Sequence, residues 1–358
     1  MSGLAHRLLE VRPGAGAHRV AIRAGVSVLV PLLVLWATDH LTWSIYATFG
    51  AFTSLYGRDR VHVARLWLQT RLACFLTLAV VLGTLVGTTG ARSWLAVPTA
   101  AAVAALGSLA SDAEDWHPPG PLFLVFAFAA CAAVPSEPAD VGIALLVAGA
   151  SAAFAVVVGN AGAFWRAREH GAPGTTRRVP TYRASLRWHV LPCSLGVLVA
   201  GTVATASGVG HPYWAMVSAV VPLVARDFAQ QVVRGLHRLI GTAAGLVLAT
   251  VLFALDLGGL ALIAVAVLLQ VLAELLVGRN YALALVAITP LALLMVHLVV
   301  AVRVSSLVVD RGLETLVGVL IGLVVGFLTR RRPVGTRPPA PPPPPSPPSP
   351  PGGPLPSA

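Results

Sequence analysis

The chain contains no lysine, and only 11% of its 358 residues are charged. The first absence excludes a lysine Schiff base and a Walker-type phosphate loop, because both need the ammonium group. The second excludes a water-clothed surface. Soluble domains carry about 25% charged residues, whereas this sequence is 56% hydrophobic with a mean hydropathy of +0.81. A soluble enzyme is thereby ruled out. Cysteine is scarce too: Cys74, Cys131 and Cys193 each stand alone in an apolar run, without a C-x-x-C pair. Such residues act as small hydrophobes rather than metal or redox groups. Residues 1–19 carry Arg7, Arg12 and Arg19 without an apolar core, so no cleavable signal peptide is expected. Acidic residues are few, 14 against 25 basic, for a net charge of +11 carried by arginine alone. Arginine in place of lysine, with abundant Ala, Val, Leu and Gly, points to a high-G+C bacterial genome.

What is present is a series of long apolar runs. A bilayer-spanning helix needs about 20 mostly apolar residues. Twelve segments qualify or come close: 20–38, 43–57, 72–89, 94–111, 121–135, 141–165, 190–207, 213–225, 239–255, 259–276, 281–301 and 312–328. Several fall short of a full span, so 10 to 12 crossings are expected of an all-α polytopic membrane protein. Placing the N-terminus in the cytoplasm leaves only Arg92, Arg303 and Arg311 in outer connections. Retention of positive charge on the cytoplasmic side orients membrane proteins, so both termini are expected there, in a cell (plasma) membrane protein. The connection 112–120 departs from this pattern, with Asp112, Glu114 and Asp115 and no arginine.

The expected organisation is a cytoplasmic N-terminus (1–19), a first transmembrane repeat (20–165), a basic cytoplasmic linker (166–189), a second repeat (190–329) and a basic, then proline-rich tail (330–358). That tail holds half of the protein's 28 prolines. Such a segment forms extended chain without a core, so disorder is expected. The repeats rest on His40-Leu-Thr-Trp43 followed by Arg58, Asp59, Arg65 and Arg71, against His211-Pro-Tyr-Trp214 followed by Arg226, Asp227, Arg234 and Arg238. Gly83-Thr84-x-x-Gly87 is matched by Gly241-Thr242-x-x-Gly245. Six spans per half make the two repeats parallel. The shortest segments, 43–57 and 213–225, correspond, and Pro222 interrupts the second. Short or broken helices at corresponding positions are the best sequence pointer to a pathway.

The stretch from His211 to Pro222, then Arg234 and His237-Arg-Leu-Ile-Gly-Thr-Ala-Ala-Gly245, resembles the FUSC family. These are fusaric-acid-resistance-like, aromatic-acid-exporter-type integral membrane transporters. Gly278-Arg-Asn-Tyr-Ala282, Thr289-Pro290 and Arg311-Gly-Leu-Glu-Thr-Leu-Val-Gly318 extend the resemblance, which covers 184–330 well and 18–165 more faintly. It implies export of aromatic or other organic acids without ATP hydrolysis. Larger members carry a soluble cytoplasmic domain between the halves, where this chain has only Arg166 to His189.

Arginine is a permanent cation that holds carboxylates through paired hydrogen bonds. Arg58, Arg71, Arg226, Arg234 and Arg238 fall at the cytoplasmic ends of the second, third, eighth and ninth segments. There they are expected either to gather organic anions or to anchor the helices at the interface. Tyr213 and Trp214, like Trp43 and Tyr46, fit an interfacial aromatic belt or a stacking surface for an aromatic substrate. Glu274 is the candidate proton-coupling carboxylate, because ionisable groups inside apolar helices are costly and suggest function. Arg279 stands near enough in sequence to neutralise it. Glu314, three residues after Arg311, reads as favourable helix-end electrostatics. Pro222 and Pro290 are expected helix breaks. Gly318, Gly322 and Gly326 form a small-residue face for packing or for a homodimer. No catalytic group, cofactor, metal or nucleic-acid partner is expected. Membrane lipids and a small organic anion are, and a homo-oligomer stays open. An anion channel of the same architecture and a non-transporting scaffold remain the alternatives to an exporter.

Overall fold

The computed structural model describes His6, Leu8, Glu10, Val11 and residues 17–58, 60, 62–170, 189–225, 227–299 and 303–330. The proline-rich tail, Asp59, Arg226 and all but the ends of the 166–189 linker lie outside the described residues. Twelve α-helices follow one another, with no strand among the described residues. They are α1 (Ala17–Ala37), α2 (Ser44–Ala51), α3 (His62–Gly87), α4 (Arg92–Glu114), α5 (Leu122–Ala133) and α6 (Pro138–His170). Then come α7 (Leu191–Ala206), α8 (Tyr213–Leu223), α9 (Phe228–Ala254), α10 (Gly259–Val277), α11 (Tyr281–Val299) and α12 (Val304–Thr329). Short 3-10 turns, Leu41–Trp43 and Phe52–Leu55, flank α2.

Each helix falls on one of the twelve apolar runs. Eight of them are long and apolar enough to cross a membrane; α2, α5, α7 and α8 are shorter. The eight residues of α2 reach only about 12 Å at 1.5 Å per residue, well under a hydrocarbon core of about 30 Å. Solvent-facing positions on the long helices are apolar: Leu146 and Leu328 are 73% exposed. In water such faces would be aggregation sites; in lipid they are the natural exterior.

Three helices begin earlier than apolarity alone indicates, α3 at His62, α9 at Phe228 and α12 at Val304. A hydropathy reading stops at the first charge, but arginine is a good helix former and unpaired backbone groups in a bilayer are costly. At α9 a cap also fixes the start: the Asp227 carboxylate accepts a hydrogen bond from the Gln230 amide at 2.8 Å. Consequently Arg65, Arg71, Arg234, Arg238 and Arg311 are helical residues rather than loop residues. The acidic connection shrinks likewise, since α4 runs to Glu114. Pro222 sits one residue before the end of α8 and does not split it. Helix α11 runs through Pro290.

The closest helix contacts occur in matching pairs. In the first half α3 packs on α5 and α6, and α2 on α6; in the second, α9 packs on α11 and α12, and α8 on α12. Across the halves, α1 packs on α10 and α4 on α7. Glycines let these backbones touch. A Cβ at Gly83 would strike the Phe128 carbonyl, and one at Gly241 the Ala282 carbonyl. The Gly318–Gly322–Gly326 face is occupied within the chain, by Ala215 and Ser218, by Ala219 and Pro222, and by Gln231 in turn. That face is therefore not free to make a homodimer.

The bundle has two chemically distinct ends. At one, Arg60 donates to the Glu114 carbonyl, Asp112 meets His189 at 2.8 Å, and Asn280 donates to the carbonyls of Leu8 and Glu10 at 3.0 and 3.2 Å. At the other, the Ser136 amide donates to the Gly87 carbonyl, the His297 ring lies edge-on to Phe253, and His211 meets Asp310 at 3.1 Å.

Candidate functional site: an arginine-lined central cavity

Helices α2, α5, α8 and α11, two from each half, surround a cavity of about 930 Å³ that α9, α10 and α12 complete. Its walls are mostly aliphatic and include a cluster of aromatic rings. Phe49 meets Phe52 and Phe126 edge-on, at 5.6 and 5.0 Å between ring centres, and Phe126 lies 5.1 Å from Trp214. Val217, Val221, Leu291 and Met295 fill the spaces between. The side chain of Thr48 faces the Met295 sulfur at 3.7 Å, tying α2 to α11.

Into these walls project five arginines, Arg58, Arg234, Arg238, Arg279 and Arg311, against the acids Glu10, Asp227 and Glu274. The rim lies at the end of the bundle that also holds Leu8 and Glu10. His237 of α9 meets the Leu8 carbonyl through Nε2 at 3.1 Å, so the N-terminal residues border the mouth. Asn280 both receives that segment and caps α11, its Oδ1 accepting from the amides of Ala282 and Leu283 at 2.9 and 3.3 Å.

Of the residues singled out in the sequence, Arg58, Arg234, Arg238, Glu274 and Trp214 line the cavity. Arg226 lies outside the described residues. Arg71 points elsewhere; 58% exposed, it pairs with Glu114 at 2.9 Å. Tyr213 is buried behind Trp214, its ring centre 4.6 Å away, and is not part of the lining. Pro222 and Pro290 are absent from the walls. Trp214 is 1% exposed, a buried side chain rather than part of an interfacial belt. The partner of Glu274 is Arg58, at 3.2 Å, rather than Arg279. That pair joins the turn after α2 to α10, and so the first half to the second.

Arg238 is 3% exposed and, among the described residues, donates to neutral oxygens only, those of Ser218 at 3.3 Å and Tyr281 at 3.5 Å. Deepest is Arg311, 1% exposed, its guanidinium 3.6 Å from the centre of the Trp214 ring. The sequence reading placed Arg311 in an outer connection and missed it as a site residue. The available signal was its sign: it is one of three arginines that break the one-sided charge pattern, and a charge on the unexpected side needs an internal reason. Two turns into α12, it lies about 10 Å from the helix start at 1.5 Å per residue. Glu314, on the next turn, accepts from the His211 amide at 2.7 Å instead of pairing with it. Among the described residues no group of three His, Cys, Asp or Glu is placed to hold a metal ion.

An all-helical bundle with apolar outer faces and a charged internal cavity defines a multi-pass membrane protein. The family model described as Fusaric acid resistance protein-like matches residues 198–325, from within α7 to near the end of α12, the family to which the sequence resemblance pointed. Neither the curated proteins nor the solved structures give a match to this chain.

Proposed function

We propose that this protein is a secondary exporter of organic acid anions, aromatic ones included, in the cell membrane, working without ATP hydrolysis. The observation that carries the reading is the pairing of five arginines with aromatic and aliphatic walls in one cavity enclosed by both halves of the chain. An organic anion has those two features, a carboxylate for a guanidinium and an apolar body for the walls. The match to the fusaric-acid-resistance-like family supports the same direction. In this reading all twelve helices cross or enter the membrane as two parallel six-helix repeats. The matching contacts of α3 and α9 and the shared glycine crossings support that arrangement. Both termini lie in the cytoplasm, and the rim, next to Leu8 and Glu10, faces inward. Arg58 and Arg234 at the rim gather anions by electrostatic focusing, and Arg226 belongs with them by sequence position. Glu274 is the proton-coupling carboxylate, and its pairing with Arg58 joins its charge to the contact between halves.

The test is uptake of a panel of organic acids into inverted vesicles. Arg234→Gln and Arg238→Gln should each weaken uptake several-fold at unchanged expression, and wild-type kinetics in both would remove the role of the arginines. Glu274→Gln should abolish the response to an imposed pH gradient; transport that still follows the gradient assigns coupling elsewhere. Steady current through reconstituted protein without proton exchange would identify a channel. No movement of any acid would leave a membrane scaffold.

A further inference from the structure

At the rim Arg58 is paired with Glu274, but the two deepest arginines have no such pairing among the described residues. Arg311 makes no side-chain hydrogen bond to any described residue; its Nε and Nη1 are fully enclosed and unpartnered. Among the described residues no carboxylate comes within ion-pair distance of it. Of the two acids nearest in sequence, Asp310 meets the His211 ring and Glu314 gives one oxygen to the His211 amide; its Oε2 is enclosed and unpartnered too, beyond ion-pair distance of the guanidinium. Among the described residues Arg238 likewise has no carboxylate within ion-pair distance and is held by two hydroxyls. The two guanidiniums are also neighbours. Trp214, which carries Arg311 on its ring, and Ser218, which receives Arg238, are four residues apart on α8 and so share one face of that helix.

Two like charges shielded from water against adjacent turns of α8 are unfavourable, and a buried cation is ordinarily paired. The Trp214 ring offsets part of this cost for one of them, but it satisfies no N–H. The missing component is an acceptor with negative charge and more than one oxygen, small enough to enter between α8, α9 and α12.

We propose that Arg311 and Arg238 form a buried oxyanion subsite at the deep end of the cavity, taking a carboxylate or a comparable oxyanion beneath Trp214. The subsite deepens the export reading and rests on it for its physiological ligand, which leaves its body against Phe126 and Phe49. Arg311 and Arg238 hold the anion's oxygens, whereas Arg58 and Arg234 only raise its local concentration. Binding at the rim is therefore sensitive to salt and binding at the deep site much less so.

The distinguishing consequence concerns stability. A guanidinium kept unpaired for a ligand destabilises the empty protein. The test is thermal unfolding of the full chain in nanodiscs, in a buffer poor in small oxyanions, titrated with benzoate, with formate and with neutral benzamide. Wild-type protein should gain in Tm with benzoate and formate and not with benzamide, since a ligand of the native state stabilises it by mass action. Arg311→Met should unfold at or above the wild-type temperature without anion, and its apparent benzoate affinity should fall at least tenfold. Arg303→Gln, at the start of α12 and outside the cavity, should keep the full shift. A lower Tm for anion-free Arg311→Met would make the guanidinium a structural counter-charge and overturn the proposal. An undiminished benzoate shift in Arg311→Met would do the same. Should that variant fail to accumulate, Arg238→Gln decides by the same shift. Loss of the shift in these variants, with no vesicle transport of any acid by wild type, upholds the site and removes the export reading. Wild-type transport kinetics in Arg311→Met remove the site and leave export standing.

Discussion

Substitution of Gly83 and Gly241 by alanine tests the packing that holds each half together. A Cβ at Gly83 would stand 2.9 Å from the Cβ of Cys131 and against the Phe128 carbonyl; one at Gly241 would stand 2.7 Å from the Cβ of Leu285 and against the Ala282 carbonyl. Comfortable carbon–carbon contact is about 3.5–4.0 Å, so each methyl overlaps its neighbour by roughly 0.6 Å or more. The obstructing atoms include backbone of α5 and α11, so no rotamer change relieves the clash. Each helix pair must separate, losing dispersion contacts along the crossing, and overpacking of this kind costs about 1–3 kcal/mol. Lipid offers no hydrophobic force to restore the pair. Gly142→Ala on α6 is the control, because nothing lies within 4 Å of its Cβ position; there alanine should be neutral or gain up to about 1 kcal/mol of helix propensity. Denaturation of the purified protein in mild detergent gives the comparison. Gly83→Ala and Gly241→Ala with midpoints equal to that of Gly142→Ala would refute the close-crossing argument.

Arg71→Gln removes an exposed ion pair with Glu114 and should change stability by less than about 1 kcal/mol; a larger loss in the same denaturation assay would show that the pair belongs to a coupled network. Asn280→Ala removes the cap of α11 and the donor to Leu8 and Glu10. The expected cost is about 1 kcal/mol, with faster tryptic cleavage at Arg7, and an unchanged cleavage rate would detach the N-terminal segment from the mouth. Cysteines introduced at Gly90 and Gly278, both with open space at the Cβ, report the sidedness. An impermeant maleimide applied to intact cells should label Gly90→Cys and spare Gly278→Cys, and the reverse pattern would invert the topology.

Composition and apolar run length determined the solvent, the all-helical class and the order of the twelve helices, because a chain in hydrocarbon must satisfy its backbone within each segment. The matching motifs also marked the glycine crossings of α3 and α9, since close helix contact leaves a local signature of small residues. Helix starts were not legible in the same way. Arginines that stop a hydropathy window are tolerated inside α3, α9 and α12 where they reach a partner, a ring or the cavity. Only the tertiary structure separated Arg238 from Arg71, which are alike in sequence terms, and only it gave Arg311, marked by its unexpected side, a place in the cavity. Burial, the Trp214 face and the turn of Glu314 towards His211 are contacts between residues far apart in the chain. The environment that gives a guanidinium its role is assembled by packing, whereas the tendency to enter a membrane is a property of each segment alone.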